Sequence, residues 1–221
     1  MTSLSQEQRA RREKTLLVSL LLSVPGPLVT WLAVLSSHST TQLADFIRRS
    51  VELVALFLSW WVFRRLHGNI TPGKAEQIRL ERMAGLGVAA ALITSGVLML
   101  VIALSRLSEF EPGGNIVPGL TIAALGVLTN GWFWRRYTRL TREQYNAVMA
   151  AQQQLYRAKT SVDLCVVAAL ATVAIAPTHA VTPYVDILGS IAVAGYLVFS
   201  GLRNSRSQLA PALPQESPLP E

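Results

Sequence analysis

Six apolar stretches divide the chain at near-regular intervals, from about Leu16 to Ser36, Leu43 to Leu66, Met83 to Leu107, Ile116 to Tyr137, Ser161 to Ala176 and Val185 to Leu202. A helix of roughly 20 residues crosses a bilayer core, and within one segment only a helix satisfies every backbone N–H and C=O. The expected fold class is an all-α membrane protein with six transmembrane helices. With 51% hydrophobic residues and 15% charged, the composition points the same way. The first span exceeds the apolar core of a cleavable signal, about 7 to 15 residues, and is expected to remain in the protein.

The basic residues lie in alternate connections. Arg9, Arg11, Arg12 and Lys14 precede span one, Arg64, Arg65, Lys74, Arg79 and Arg82 lie between spans two and three, Arg135, Arg136, Arg139 and Arg142 follow span four, and Arg203 and Arg206 follow span six. The other connections, around 36–42, 108–115 and 177–183, hold no Lys or Arg. By the positive-inside rule both termini are cytoplasmic. The net charge of +7 is therefore a topology signal and does not indicate nucleic acid. Trp60, Trp61, Trp132 and Trp134 stand just before these arginines, where amphipathic rings suit the headgroup layer. The expected partner is the lipid bilayer, and a compact chain without targeting signals fits a multi-pass protein of an inner cell membrane.

Residues 1–14 read as a basic cytoplasmic leader, 15–206 as the six-helix transmembrane domain and 207–221 as a Pro-rich disordered tail. The link from Thr138 to Ala158 lacks Gly and Pro and is expected to extend the fifth span into the cytosol, whereas Leu66 to Gly73 reads as a turn. Pro25-Gly26-Pro27 near the centre of span one should kink or break it, since proline cannot donate to the helical ladder. Gly85, Gly87, Gly96, Gly189, Ser190, Ala194 and Gly195 would let spans three and six approach closely. Cys165, the single cysteine, reads as a packing residue and excludes an intramolecular disulfide.

Charges within spans are expensive and mark function by default. Span two opens with Asp45, Arg48, Arg49 and Glu52, and span five with Lys159 and Asp163. Arg48 and Glu52, Asp45 and Arg49, and Lys159 and Asp163 are each four apart, so each pair shares a helix face. Together the two helices could form one intramembrane charge network, for example Arg48 or Arg49 with Asp163 and Glu52 with Lys159. His38 and His179 with Glu109 or Glu111 could form an outer entry site, although solvated loop histidines are the default.

The stretch Leu43-Ala44-Asp45-Phe46-Ile47-Arg48-Arg49-Ser50-Val51-Glu52 resembles helix two of the cation diffusion facilitator family, where an acidic residue is followed three positions later by His or Asp and four after that by Asp. Gly73-Lys74-Ala75-Glu76 resembles that family's cytoplasmic loop, Lys159 and Asp163 fall at its helix-five His-x-x-x-Asp motif, and Asp186-Ile187-Leu188-Gly189-Ser190 resembles the start of its helix six. The resemblance implies a homodimer that binds a divalent metal between helices two and five and exchanges it for protons. Its four ligand positions here are Arg48, Glu52, Lys159 and Asp163. Arg has no acceptor atom and Lys would have to lose its proton, so the metal set reduces to Glu52, Asp163 and Asp45. The family's cytoplasmic C-terminal domain has no counterpart in the tail.

Three readings follow. The first is a cation-efflux-like secondary transporter moving a divalent metal cation out of the cytoplasm by proton antiport. In the second, the same scaffold with a salt-bridged, degenerate metal site carries an anionic or zwitterionic solute. The third is a non-transporting membrane partner. A divalent metal is substrate on the first reading and no cofactor is implied. No nucleophile and base cluster at recognisable spacing, so an enzyme is not expected.

Overall fold

The computed structural model of the chain describes residues 5–37, 40–68, 72–108, 116–175 and 182–209. Some helical side chains within these ranges, including those of Asp45 and Asp186, lie outside the described set. So do His38, Glu109, Glu111, His179 and the tail beyond Leu209, where the outer-site and disordered-tail expectations fall.

The described residues form seven helices: α1 (Gln6–Ser23), α2 (Pro25–Ser37), α3 (Thr40–Leu66), α4 (Lys74–Ser108), α5 (Ile116–Glu143), α6 (Ala147–Ile175) and α7 (Thr182–Leu209). Among the described residues no strand occurs. The all-helical expectation therefore stands. By length and composition alone, two helical runs among these residues could cross a membrane, Gln6–Leu32 and Lys74–Ser105.

Ser5 begins α1 with a capping box: its Oγ accepts from the Gln8 N–H and its own N–H donates to Gln8 Oε1, both at 3.2 Å. Residues 6–14, read from sequence as a leader, are thus the opening turns of α1. The interruption at Pro25-Gly26-Pro27 is mainly one of hydrogen bonding. Val24 keeps helical angles (φ −59°, ψ −43°) and donates back to Leu20 and Leu21. Pro25 lacks an N–H and opens α2 at the first-turn position proline favours. The link between spans four and five is divided between two helices. α5 continues to Glu143, and Asn146 Oδ1 caps α6 by accepting from the Val148 and Met149 N–H groups at 3.1 and 3.2 Å.

Packing is tightest where small residues meet. A Cβ on Gly96 would lie 2.8 Å from the Ala194 carbonyl oxygen, and one on Gly201 would lie 2.6 Å from Ile93 Cγ1 and 3.0 Å from the Ala89 oxygen. Asn204 Nδ2 donates to the Gly85 carbonyl at 2.9 Å. These contacts hold α4 against α7 almost backbone to backbone, the close approach expected of spans three and six. α5 pairs chiefly with α6, and α3 packs against α1, α2 and α4.

At one end Arg12, buried in α1, donates from Nη2 to the Leu140 and Gln144 carbonyls, each at 2.9 Å. Carbonyls in the last turn of a helix have no partner within it, so a buried cation there satisfies both their hydrogen bonding and the helix dipole. Arg11 with Glu143, Arg64 with Glu13 and Arg65 with Glu76 add exposed or half-exposed pairs at the same end.

Candidate functional site

α3 and α6 run antiparallel, and their polar side chains meet in register. Gln152 Nε2 donates to Ser59 Oγ at 2.7 Å. Two turns further along both helices, Lys159 Nζ lies 2.9 Å from Glu52 Oε2. One more turn brings Arg48 level with Asp163, and Arg48 interacts electrostatically with both carboxylates. The i,i+4 spacing gave each charge a possible partner on its own helix, but Lys159 takes its partner across the helix interface. A helix places i and i+4 on one face, so two such faces turned together exchange partners crosswise.

Only 14% of the Lys159 side chain and 13% of that of Glu52 are exposed, which removes this pair from the weak, screened class of surface salt bridges. Ser95 of α4 donates to Glu52 Oε1 at 3.3 Å, so both carboxylate oxygens are engaged. Lys159 Nζ also stands 5.3 Å from the centre of the Tyr156 ring, within cation–π reach. Asp163 accepts from Asn130 Nδ2 of α5 at 2.6 Å. That approach depends on Gly126, one turn earlier, where a Cβ would lie 2.7 Å from Asp163 Oδ2.

These groups surround a cavity of about 270 Å³. Arg48, Arg49, Glu52, Lys159 and Asp163 all line it, together with Ser95, Thr129 and Asn130. Gly26, at the break between α1 and α2, joins the lining with the Arg49 side chain beside it, 3.4 Å from where a Cβ would lie. Beneath Lys159 the aromatic rings of Phe133, Tyr137 and Tyr156 stack at 4.9 to 6.3 Å, with Tyr137 hydroxyl-bonded to Ser19 at 2.8 Å. Leu16, Leu140 and Met149 bury around them and fill the space toward the Arg12 end.

Five of the six sequence-selected charges therefore share one cavity, and the sixth, Asp45, has no described side chain. Among the described residues no three His, Cys, Asp or Glu side chains group as a metal site would require. His67 lies elsewhere, its ring stacked on Phe63 with Nδ1 2.9 Å from the Phe63 carbonyl oxygen, and burial pushes its pKa below the ordinary histidine value. Sequence reasoning did not select Ser95, Gly126, Asn130 and Tyr156. Asn130 and Gly126 carried a usable signal, an amide and a glycine four apart inside an apolar span.

A charge-lined cavity between long helices is an arrangement that membrane transporters use, where intramembrane ions mark the path of a solute. Residues 16–210 match the cation efflux transmembrane domain, and the chain belongs to that family. It is accordingly a membrane-embedded protein of a cation efflux transporter family. No curated protein matches the chain.

Proposed function

We propose that this protein carries a divalent metal cation out of the cytoplasm in exchange for protons, through the cavity of Glu52 and Asp163. In this reading six helical columns, α1 and α2 counted as one, cross an inner cell membrane with both termini cytoplasmic, and two copies form a homodimer. The work is transport, with no bond-making chemistry. The observation that carries the reading is the Lys159–Glu52 contact of 2.9 Å inside the cavity. A positive group already occupies the carboxylate that a cargo cation would need.

Cargo and ammonium therefore compete. At an effective dielectric constant of about 20, a doubly charged ion 4 Å from an ammonium is repelled by about 8 kcal/mol. Cargo entry thus requires positive charge to leave the site, and this competition supports exchange of one positive species for another. A second reading rests on the lining itself, where three cations, Arg48, Arg49 and Lys159, face two described carboxylates, Glu52 and Asp163. That balance favours an anionic or zwitterionic solute, which a guanidinium pairs well, or a permanently salt-bridged membrane partner.

Flux into proteoliposomes under an imposed pH gradient tests these readings, with zinc, manganese, iron(II), cobalt and cadmium as cargo. Movement of one ion, opposed by protons and abolished in both Asp163→Asn and Glu52→Gln, is the expected result. Absence of cation flux in folded protein overturns it. Accumulation of a carboxylate or phosphate solute would then favour the second reading, and no flux at all a membrane partner.

A further inference from the structure

The cytoplasmic end of α5 has two opposed faces. Phe133, Tyr137 and Leu140 are buried on one. At 100° per residue, Arg135, Arg139 and Arg142 fall within about 60° of one another on the other. All three are exposed, and among the described residues none forms an ion pair. With Trp134, Thr138 and Glu143 they line a shallow, open groove along α5. Every lining residue belongs to α5, so the groove faces away from the bundle. The Glu143 carboxylate lies 3.8 Å from Arg11 Nη1, so the acid at the end of the groove has a cation of its own.

From this arrangement we infer that the α5 groove binds the headgroup of an anionic phospholipid. Arg135 and Arg142 are separated by about 10 Å along the helix axis, the rise of seven residues. That span suits a phosphodiester and the polar part of its headgroup. Guanidinium groups make paired hydrogen bonds to phosphate oxygens, which gives a preference that charge alone does not. Trp134 at the membrane end of the groove fixes its depth, because indole rings collect at the headgroup layer. The exposed Trp132 lies on the same side of the helix. A free anion in the cytosol would not need this boundary position. A lipid headgroup is already there, held beside the groove by its own acyl chains.

The positive-inside rule accounts for arginines at this end of the molecule but not for three on one face of one helix. The test must therefore compare arginines equal in number and different in place. Native mass spectrometry of the full chain, released from detergent with equimolar phosphatidylglycerol and phosphatidylcholine, measures which lipid is retained. Selective retention of phosphatidylglycerol is expected, weakened about tenfold or more in R135Q/R139Q/R142Q. R79Q/R203Q/R206Q, which removes the same charge from exposed arginines elsewhere, should retain it at the wild-type level. R139Q alone, should the triple variant fail to fold, is expected to give an intermediate loss. Equal loss in the two triple variants overturns the site in favour of general surface attraction. Equal retention of both lipids also overturns it. Complete displacement of phosphatidylglycerol by millimolar inorganic phosphate would assign the groove to a soluble anion instead.

Discussion

Removing the Lys159 ammonium takes from the nearly buried Glu52 carboxylate its ion partner at 2.9 Å and leaves it the Ser95 hydroxyl and the charges of Arg48 and Arg49. Deleting one member of a buried pair is costly because the other is stranded, whereas removing both is often close to neutral. Lys159→Met is therefore expected to lower unfolding stability by about 3 to 5 kcal/mol, and Glu52→Gln/Lys159→Met to recover most of that loss. Denaturant unfolding in detergent measures both, and a Lys159→Met protein as stable as wild type would refute the pairing. The reason at residue scale was partly legible. The sequence displayed Glu52 and Lys159 as charges in apolar spans, but Ser95 and Asn130 are polar residues of ordinary appearance. Their roles depend on which helix faces which.

Between elements, the α4–α7 contact is governed by how near two backbones can come. Gly96 has the Ala194 carbonyl oxygen 2.8 Å from where its Cβ would stand, and a carbonyl cannot move aside as a flexible side chain can. Gly195, on the facing helix, has nothing within 4 Å of its Cβ position. Gly96→Ala is expected to destabilise by about 1 to 3 kcal/mol through overpacking. Gly195→Ala should be neutral or stabilising by up to about 1 kcal/mol, since alanine restricts the unfolded chain and favours helix. Thermal melts of the two variants should therefore shift in opposite directions or by clearly different amounts. Both glycines looked alike in the sequence, where each was one of several small residues along spans three and six. Only the rotation of α7 against α4 tells them apart.

For the whole molecule, the contacts of Arg12 with the end of α5, and of Glu13 and Glu76 with the end of α3, collect one set of helix ends at a single pole. Ser5, Gly73 and Tyr145 are exposed positions in the connections at that pole. In a Cys165→Ser background, Ser5→Cys, Gly73→Cys and Tyr145→Cys should resist a membrane-impermeant maleimide in intact cells and react after permeabilisation. Reaction of any of them in intact cells would invert or break the proposed topology. Aromatic packing of Phe133, Tyr137 and Tyr156 between this pole and the cavity gives the bundle a filled end and an end that holds the charged chamber.

What the sequence by itself determined is the helical class and the separation of apolar stretches from charged ends, together with the particular charges that had to be explained. Those properties follow from local composition and period, because burial in lipid leaves helices as the only way to satisfy the backbone of a single span. Of the two partners the sequence offered Lys159, tertiary structure chose Glu52 over Asp163, and it alone decided that Asn130 and Gly126 shape the place of Asp163 and that Arg12 closes α5. Each of these depends on the rotation and register of helices far apart in the chain. A helix presents the same residue pattern at every rotation, and only packing against its neighbours chooses one.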